Sequence, residues 1–365
     1  MSLLPPLIDT AIRKSLKELY NLEFEEANLS INQVKEEENN HPLIAFTSAS
    51  IQWWKLSTLA LETNKDEGEK FEALAKSCIR VCEKKISRGD STGEAELVLG
   101  GIWGLYGRWQ IANGRWLPAY FSGKKAAKYL NASLEKNPLL TDAYMGLGMF
   151  NYYVATLPGV VRALAFLGAS GDKHKGLDQL EKAAMSPMYA SVPTRIFLHD
   201  IYLYGEKDPD RAYDIITKLA SESANSPYIR MQEITNLYNT GRTEELIMKA
   251  DSFMKDILTG VLSEKAKPEG FFSKGISLFK EKKWDAALVY FNDAIKLSPS
   301  ENPYGTWSTL YKGLTLEAIG NKPEAQKIFR ELLKMPNRWS SHENARKFLK
   351  DPFVGRDNQI EKLWL

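Results

Sequence analysis

The stretch Phe271–Pro299, FFSKGISLFKEKKWDAALVYFNDAIKLSP, holds two helical patterns back to back with a short polar break between them, and it constrains the fold more than any other part of the chain. Phe272, Ile276 and Phe279 recur at spacings of four and three, which puts them on one helix face. Glu281, Lys282 and Lys283 supply the polar turn. Trp284, Ala287, Leu288, Phe291, Ala294 and Ile295 then make a second apolar stripe, which Pro299 ends because proline lacks the backbone donor and clashes with the preceding turn. Small residues at Gly275, Ala287 and Ala294 alternate with Phe279 and Phe291. Two antiparallel helices patterned in this way approach closely, and the rings fill the gaps between them.

These residues resemble the tetratricopeptide repeat (TPR), a helix pair of about 34 residues with glycine and small residues at set positions and a closing proline. Phe271, Gly275, Ala287, Phe291, Ala294 and Pro299 fall on its pattern, while Lys274 and Leu278 depart from it. A second copy follows in Gly313, Leu316, Ala325 and Phe329, with Pro336 close behind; the offset of 38 from Gly275 to Gly313 places extra residues in the connection. Asp142–Val154 is a third match through Tyr144, Leu147 and Gly148. Its partner helix, carried by Gly176, Leu177, Leu180 and Ala183, comes late, after an apolar insertion over 157–170.

The remainder reads as worn copies. The best repeats span 268–301 and 306–337, with further ones at 141–187, 193–222 and 227–258 and degenerate ones over 8–138. Within the last, YNLEF followed by a proline and a helix containing Trp53 and Trp54 resembles the beginning of bacterial TPR-like proteins, a likeness that brings no activity with it. Residues 93–123 combine seven glycines with Trp103, Trp109 and Trp116; Gly100, Gly104 and Gly107 fall on or near one helix face, which fits a helix pressed against its neighbours better than a ligand pocket. Ser341–Leu349 reads as a closing helix, since the last repeat of a stack has no neighbour to cover it. The expected fold is all-α: a right-handed α-α superhelix, or TPR-like solenoid, of about eight helix pairs plus a C-terminal capping helix, continuous over 1–365.

Composition narrows the classes. No apolar run approaches the roughly 18 residues of a membrane helix, so the chain reads as soluble, cytoplasmic or periplasmic. The opening MSLLPPLIDTAI lacks the basic start and apolar core of a secretory signal, and MSL ahead of LPPLID fits a cloning remnant in place of a native leader. Basic and acidic residues, 48 against 46, are well mixed, so the sequence shows no electrostatic footprint for nucleic acid or for an anionic membrane. Cys78 and Cys82, four apart in a helical pattern, read as small buried hydrophobes.

No catalytic, cofactor or metal site is read from the sequence. His41, His174, His199 and His342 fall on separate repeats, the Glu38–His41 spacing runs into the NNHP stop, and neither a phosphate loop nor a GxSxG elbow is present. The resemblance implies a non-catalytic module that binds a protein or peptide along a concave side lined by the first helix of each pair. Its groove positions fall on Met145, Met149, Tyr152, Phe197, Ile201, Tyr204, Tyr228, Met231 and Tyr238. None is the Lys, Asn or Arg that TPR proteins of the chaperone-tail type use to hold a terminal carboxylate. Two alternatives stand beside this reading: the same residues are core, or the 157–170 insertion closes a pocket for a small apolar, lipid-like ligand.

Overall fold

The computed structural model describes residues 6–35, 41–59, 61, 64–156, 171–298, 302–338 and 340–355. Met1–Leu3, Glu38–Asn40, the 157–170 insertion and Pro299 lie outside them. Among the described residues there are seventeen α-helices and no strand, the number of helices that eight pairs and a closing helix require. The chain forms two compact units, Met1–Ser57 with Leu61–Lys207, and Thr58–Ala60 with Asp208–Leu365.

The first unit contains α1 (Pro6–Tyr20), α2 (Phe24–Lys35), α3 (Pro42–Thr58), α4 (Lys65–Ser87), α5 (Glu94–Ala112), α6 (Trp116–Lys136), α7 (Ala143–Thr156), α8 (Lys173–Ala184) and α9 (Ser191–Asp200). The second contains α10 (Pro209–Glu222), α11 (Pro227–Thr240), α12 (Thr243–Leu258), α13 (Lys267–Lys280), α14 (Trp284–Leu297), α15 (Pro303–Ala318), α16 (Lys322–Leu332) and α17 (Ser341–Lys350). Within each unit the helices pack chiefly on their neighbours in sequence, as in the TPR-like solenoid.

Local chemistry sets the boundaries. Asn64, Asp172, Asp208 and Ser226 each accept a hydrogen bond from a first-turn backbone N–H of the helix they cap. Proline stands at the first position of α10, α11 and α15, where its missing N–H costs nothing. The polar turn between α13 and α14 turns through Lys282 at φ 60°, and Gly241 ends α11 at φ 73°. The helix that starts at Pro42 stops at Thr58, and Leu61 donates its N–H to the Leu56 carbonyl at 2.7 Å.

The repeat positions behave as their sizes demand. A Cβ at Gly275 would stand 2.5 Å from Phe291 Cε1, and one at Gly313 would collide with Phe329 in the same way. Both pairs are sixteen residues apart. A Cβ at Gly148 would stand 2.8 Å from Leu180 Cγ, thirty-two residues on, and as close to the Gly176 carbonyl, because the insertion lengthens this one connection. The core of the second unit runs unbroken from Met231 to Phe353. Tyr311 is its hub, with its ring centroid 5.1 Å from Phe279, 5.5 Å from Phe291 and 5.9 Å from Phe272. Each fully buried ring of this kind stabilises the fold by about 2–3 kcal/mol.

The glycine-rich helix α5 is pressed against its neighbours, with one exception. Gly100 faces Leu130, Gly101 faces Phe46 and Gly107 faces the Ala119 carbonyl, whereas nothing lies within 4 Å of the place a side chain on Gly104 would take. Cys78 and Cys82 are fully buried thiols.

Candidate functional site

The nine positions expected to line a groove fall in two sets. In the second unit, Met231 and Tyr238 belong to the core, at 0% and 5% exposure, and Tyr228 is half-buried at the start of α11. The Tyr311 hydroxyl donates to the Tyr238 hydroxyl at 2.8 Å, and the Lys280 ammonium lies 4.3 Å above the Tyr238 ring. Almost every side chain of α11 is buried, including Gln232, Glu233 and Asn236, so this helix is enclosed on all sides.

In the first unit, Tyr152 and Ile201 are buried at 4% and 3%, while Met145, Met149, Phe197 and Tyr204 are half-buried. Tyr152 is held firmly. Its ring lies against Gly205, and its hydroxyl donates to Glu206 Oε1 at 2.8 Å. The other oxygen of Glu206 pairs with Lys173 Nζ at 2.6 Å. Burial pushes the Glu206 carboxyl up, but the hydrogen bonds from Lys173 and Tyr152 together outweigh it and hold the group below the usual carboxylate range. Ile201 and Tyr204 sit in a single π-helical turn, Ile201–Gly205, that continues α9.

One feature of this face was not legible in the groove positions. Arg108, on α5, lies with its guanidinium 4.4 Å above the Phe197 ring of α9 and 5.2 Å from the Trp53 ring of α3. The first helices of three pairs therefore meet through one cation between two rings. Tyr153, beside Tyr152 on α7, meets it edge-on at 5.5 Å and keeps 40% of its surface in water. Charge from both Arg108 and Asp200 reaches its hydroxyl. Met149, Phe197, Tyr204 and Arg108 are half-buried and Tyr153 is exposed, whereas Tyr152 and Ile201 are buried.

The histidines stay apart. Buried His199 meets Asp200 through Nδ1 at 2.9 Å, His41 Nε2 lies 3.5 Å from Glu94, His342 Nε2 lies 2.8 Å from the Met335 carbonyl, and His174 is exposed. Among the described residues no group of three or more His, Cys, Asp or Glu side chains is placed to hold a metal ion.

Glycine in the first helix beneath an aromatic ring in the second, repeated sixteen residues apart in consecutive pairs, is the arrangement of the TPR. The chain is TPR-like. No family model matches it, and no curated relative matches it. Among solved structures, it is similar to yeast Tom70 at 10% identity, over 93% of this chain and 87% of that one, with a TM-score of 0.46. It is also similar to the C-terminal part of a TPR repeat-containing protein from Cytophaga hutchinsonii, at 13% identity over 91% and 98% of the two chains, TM-score 0.34. A monomeric mutant of IFIT1 matches at 14% identity over 96% and 79%, TM-score 0.34.

Proposed function

We propose that this TPR-like chain is a non-catalytic protein-interaction module that takes a peptide or partner helix on the aromatic face of its first unit. The observation that supports this is the meeting of three first helices at Arg108, in a unit where Met149 and Tyr153 of α7, Phe197 of α9 and Tyr204 of the turn that continues it keep part of their surface in water. Flat rings and methionine adapt to varied apolar side chains at low entropic cost. The fitting partner is a segment that presents an apolar anchor.

The test selects peptides from a displayed library on the immobilised full chain and measures their affinity for single variants. Tyr153→Ala and Phe197→Ala each weaken the selected peptides by about tenfold or more, as interface anchors do, with helical circular dichroism retained. Lys218→Ala, exposed on α10, leaves affinity unchanged. Peptides that bind both ring variants as tightly as the parent chain would remove this face from the function.

A further inference from the structure

The balanced charge of the whole chain conceals one stretch that departs from it. Between Leu97 and Leu134 stand five basic residues, Arg108, Arg115, Lys124, Lys125 and Lys128, and no acidic one. This stretch is the α5–α6 hairpin, and its tip stands in solvent: every residue from Ile111 to Pro118 is exposed. Gly114, in the turn, has φ 70° and no atom within 4 Å of the place its side chain would take. Large apolar groups crowd this tip, with Ile111 at 42% exposure, Trp116 and Leu117 at 48%, and Phe121 at 47%.

The exposure belongs to one face of a helix that is well packed on the other. Ala119, Ser122, Ala126, Leu130 and Ser133 of α6 are buried, and Ser122 donates to Gln110 of α5 at 2.8 Å. Leu117, Phe121, Lys124 and Lys128 follow one another at helical spacing on the opposite face, and all four are exposed. Large apolar side chains exposed together at a hairpin tip mark a contact surface, and lysines one to three turns behind them mark the charge of what it meets.

We propose that this tip docks on an anionic lipid surface, with Ile111, Trp116, Leu117 and Phe121 entering the boundary between headgroups and acyl chains and Lys124, Lys125 and Lys128 facing the headgroups. Eight consecutive residues of the tip are exposed, as those of an element entering an interface must be, whereas a peptide is held by a recess. Tryptophan, phenylalanine and lysine are the side chains that such a boundary accommodates. The Lys125 ammonium lies 4.0 Å above the Trp103 ring and that of Lys124 lies 5.7 Å from the Tyr120 ring. None of the three lysines forms an ion pair with a described residue, so their charge is available to phosphate groups. Arg115 shares its field with Glu72, which leaves the three lysines as the charge that meets the headgroups. Docking of this kind is peripheral: among the described residues no helix is long and apolar enough to cross a membrane.

The experiment sediments the full chain with vesicles of equal parts phosphatidylcholine and phosphatidylglycerol, and with pure phosphatidylcholine. Binding to the anionic vesicles is expected to fall roughly tenfold or more both in Trp116→Ser/Leu117→Ser/Phe121→Ser and in Lys124→Glu/Lys125→Glu/Lys128→Glu, with melting temperature unchanged because these side chains are exposed. Brominated lipid should quench fluorescence in the parent chain and quench it less in Trp116→Phe. The charge-reversed chain keeps the test decisive if the serine variant does not fold. Absence of sedimentation with anionic vesicles, or equal sedimentation of parent and variants, overturns the proposal. A polyglutamate peptide that binds through the same lysines while vesicles do not would assign the tip to an acidic protein segment and overturn lipid docking.

Discussion

Phe291 occupies the space that a side chain at position 275 would need, with its Cε1 atom 2.5 Å from the place where a Cβ would stand. Both residues are fully enclosed, so neither helix can yield by moving into water. Gly275→Ala therefore loses more to overpacking than the roughly 1 kcal/mol it gains in helix propensity, and a net destabilisation of about 1–3 kcal/mol is expected. Gly104→Ala is the counterpart: with nothing within 4 Å, it should stabilise the chain by about 0.5–1 kcal/mol. Urea midpoints of the two variants, measured side by side, check both signs.

Tyr152 separates support from contact on the aromatic face. At 4% exposure and bonded to Glu206, it acts through packing, and Tyr152→Ala should destabilise the first unit by about 3–5 kcal/mol. Any loss of peptide binding in that variant should follow the loss of folded chain. Melting and binding measured on the same samples decide this, and a variant that melts like the parent chain would return Tyr152 to the contact surface.

Glu269 makes stability depend on pH. It is 3% exposed on α13, accepts from Asn302 Nδ2 at 3.3 Å through one oxygen, and has Tyr304 and, beyond it, Tyr228 as its titratable neighbours. Burial pushes its carboxyl up from 4.5 to about 7. Below about pH 4.5 both folded and unfolded chains hold the proton; between that pH and 7 only the folded chain holds it, so stability falls as pH rises through this window. The full loss above pH 7 is about 3 kcal/mol. Glu269→Gln removes the proton exchange, and its advantage in melting temperature over the parent chain should widen between about pH 5 and pH 8. An advantage that stays constant across that range would refute the assignment.

The two thiols offer a simple test of enclosure. The hydrogen bond that the Cys78 S–H donates to Cys82, and then burial, raise the Cys78 thiol well above its ordinary range, and both sulfurs are fully covered. A thiol reagent at about pH 8 should leave the native chain unmodified and label both residues once denaturant is added. Rapid labelling of the native chain would contradict the packing of α4.

Much of this architecture could be read from side-chain spacing, because a stripe at helical period must be covered by something. Gly275, Ala287 and Phe291, and Gly313 and Phe329, stand where their sizes require. What spacing does not reveal is which element does the covering. Met231 and Tyr238 lie on a helix enclosed on every side, and α11 carries Gln232, Glu233 and Asn236 in its buried set, so no stripe distinguished an open face from a closed one. Arg108 meets rings at positions 53 and 197, a convergence created only by the stacking of helices distant in sequence. Glu269 reads as an ordinary surface carboxylate until its neighbours are in place, and the basic run of α5 and α6 disappears in a charge total taken over the whole chain.

The preference of each helix for its neighbour in sequence also bears on how the chain is made. A pair such as α13 and α14 has its glycine, its ring and its turn within about 34 residues, so it can close as soon as that length has left the ribosome. Each later pair then finds a formed surface waiting for it. Within each unit, synthesis can thus lay down one hairpin at a time, with little apolar surface exposed to aggregation at any moment.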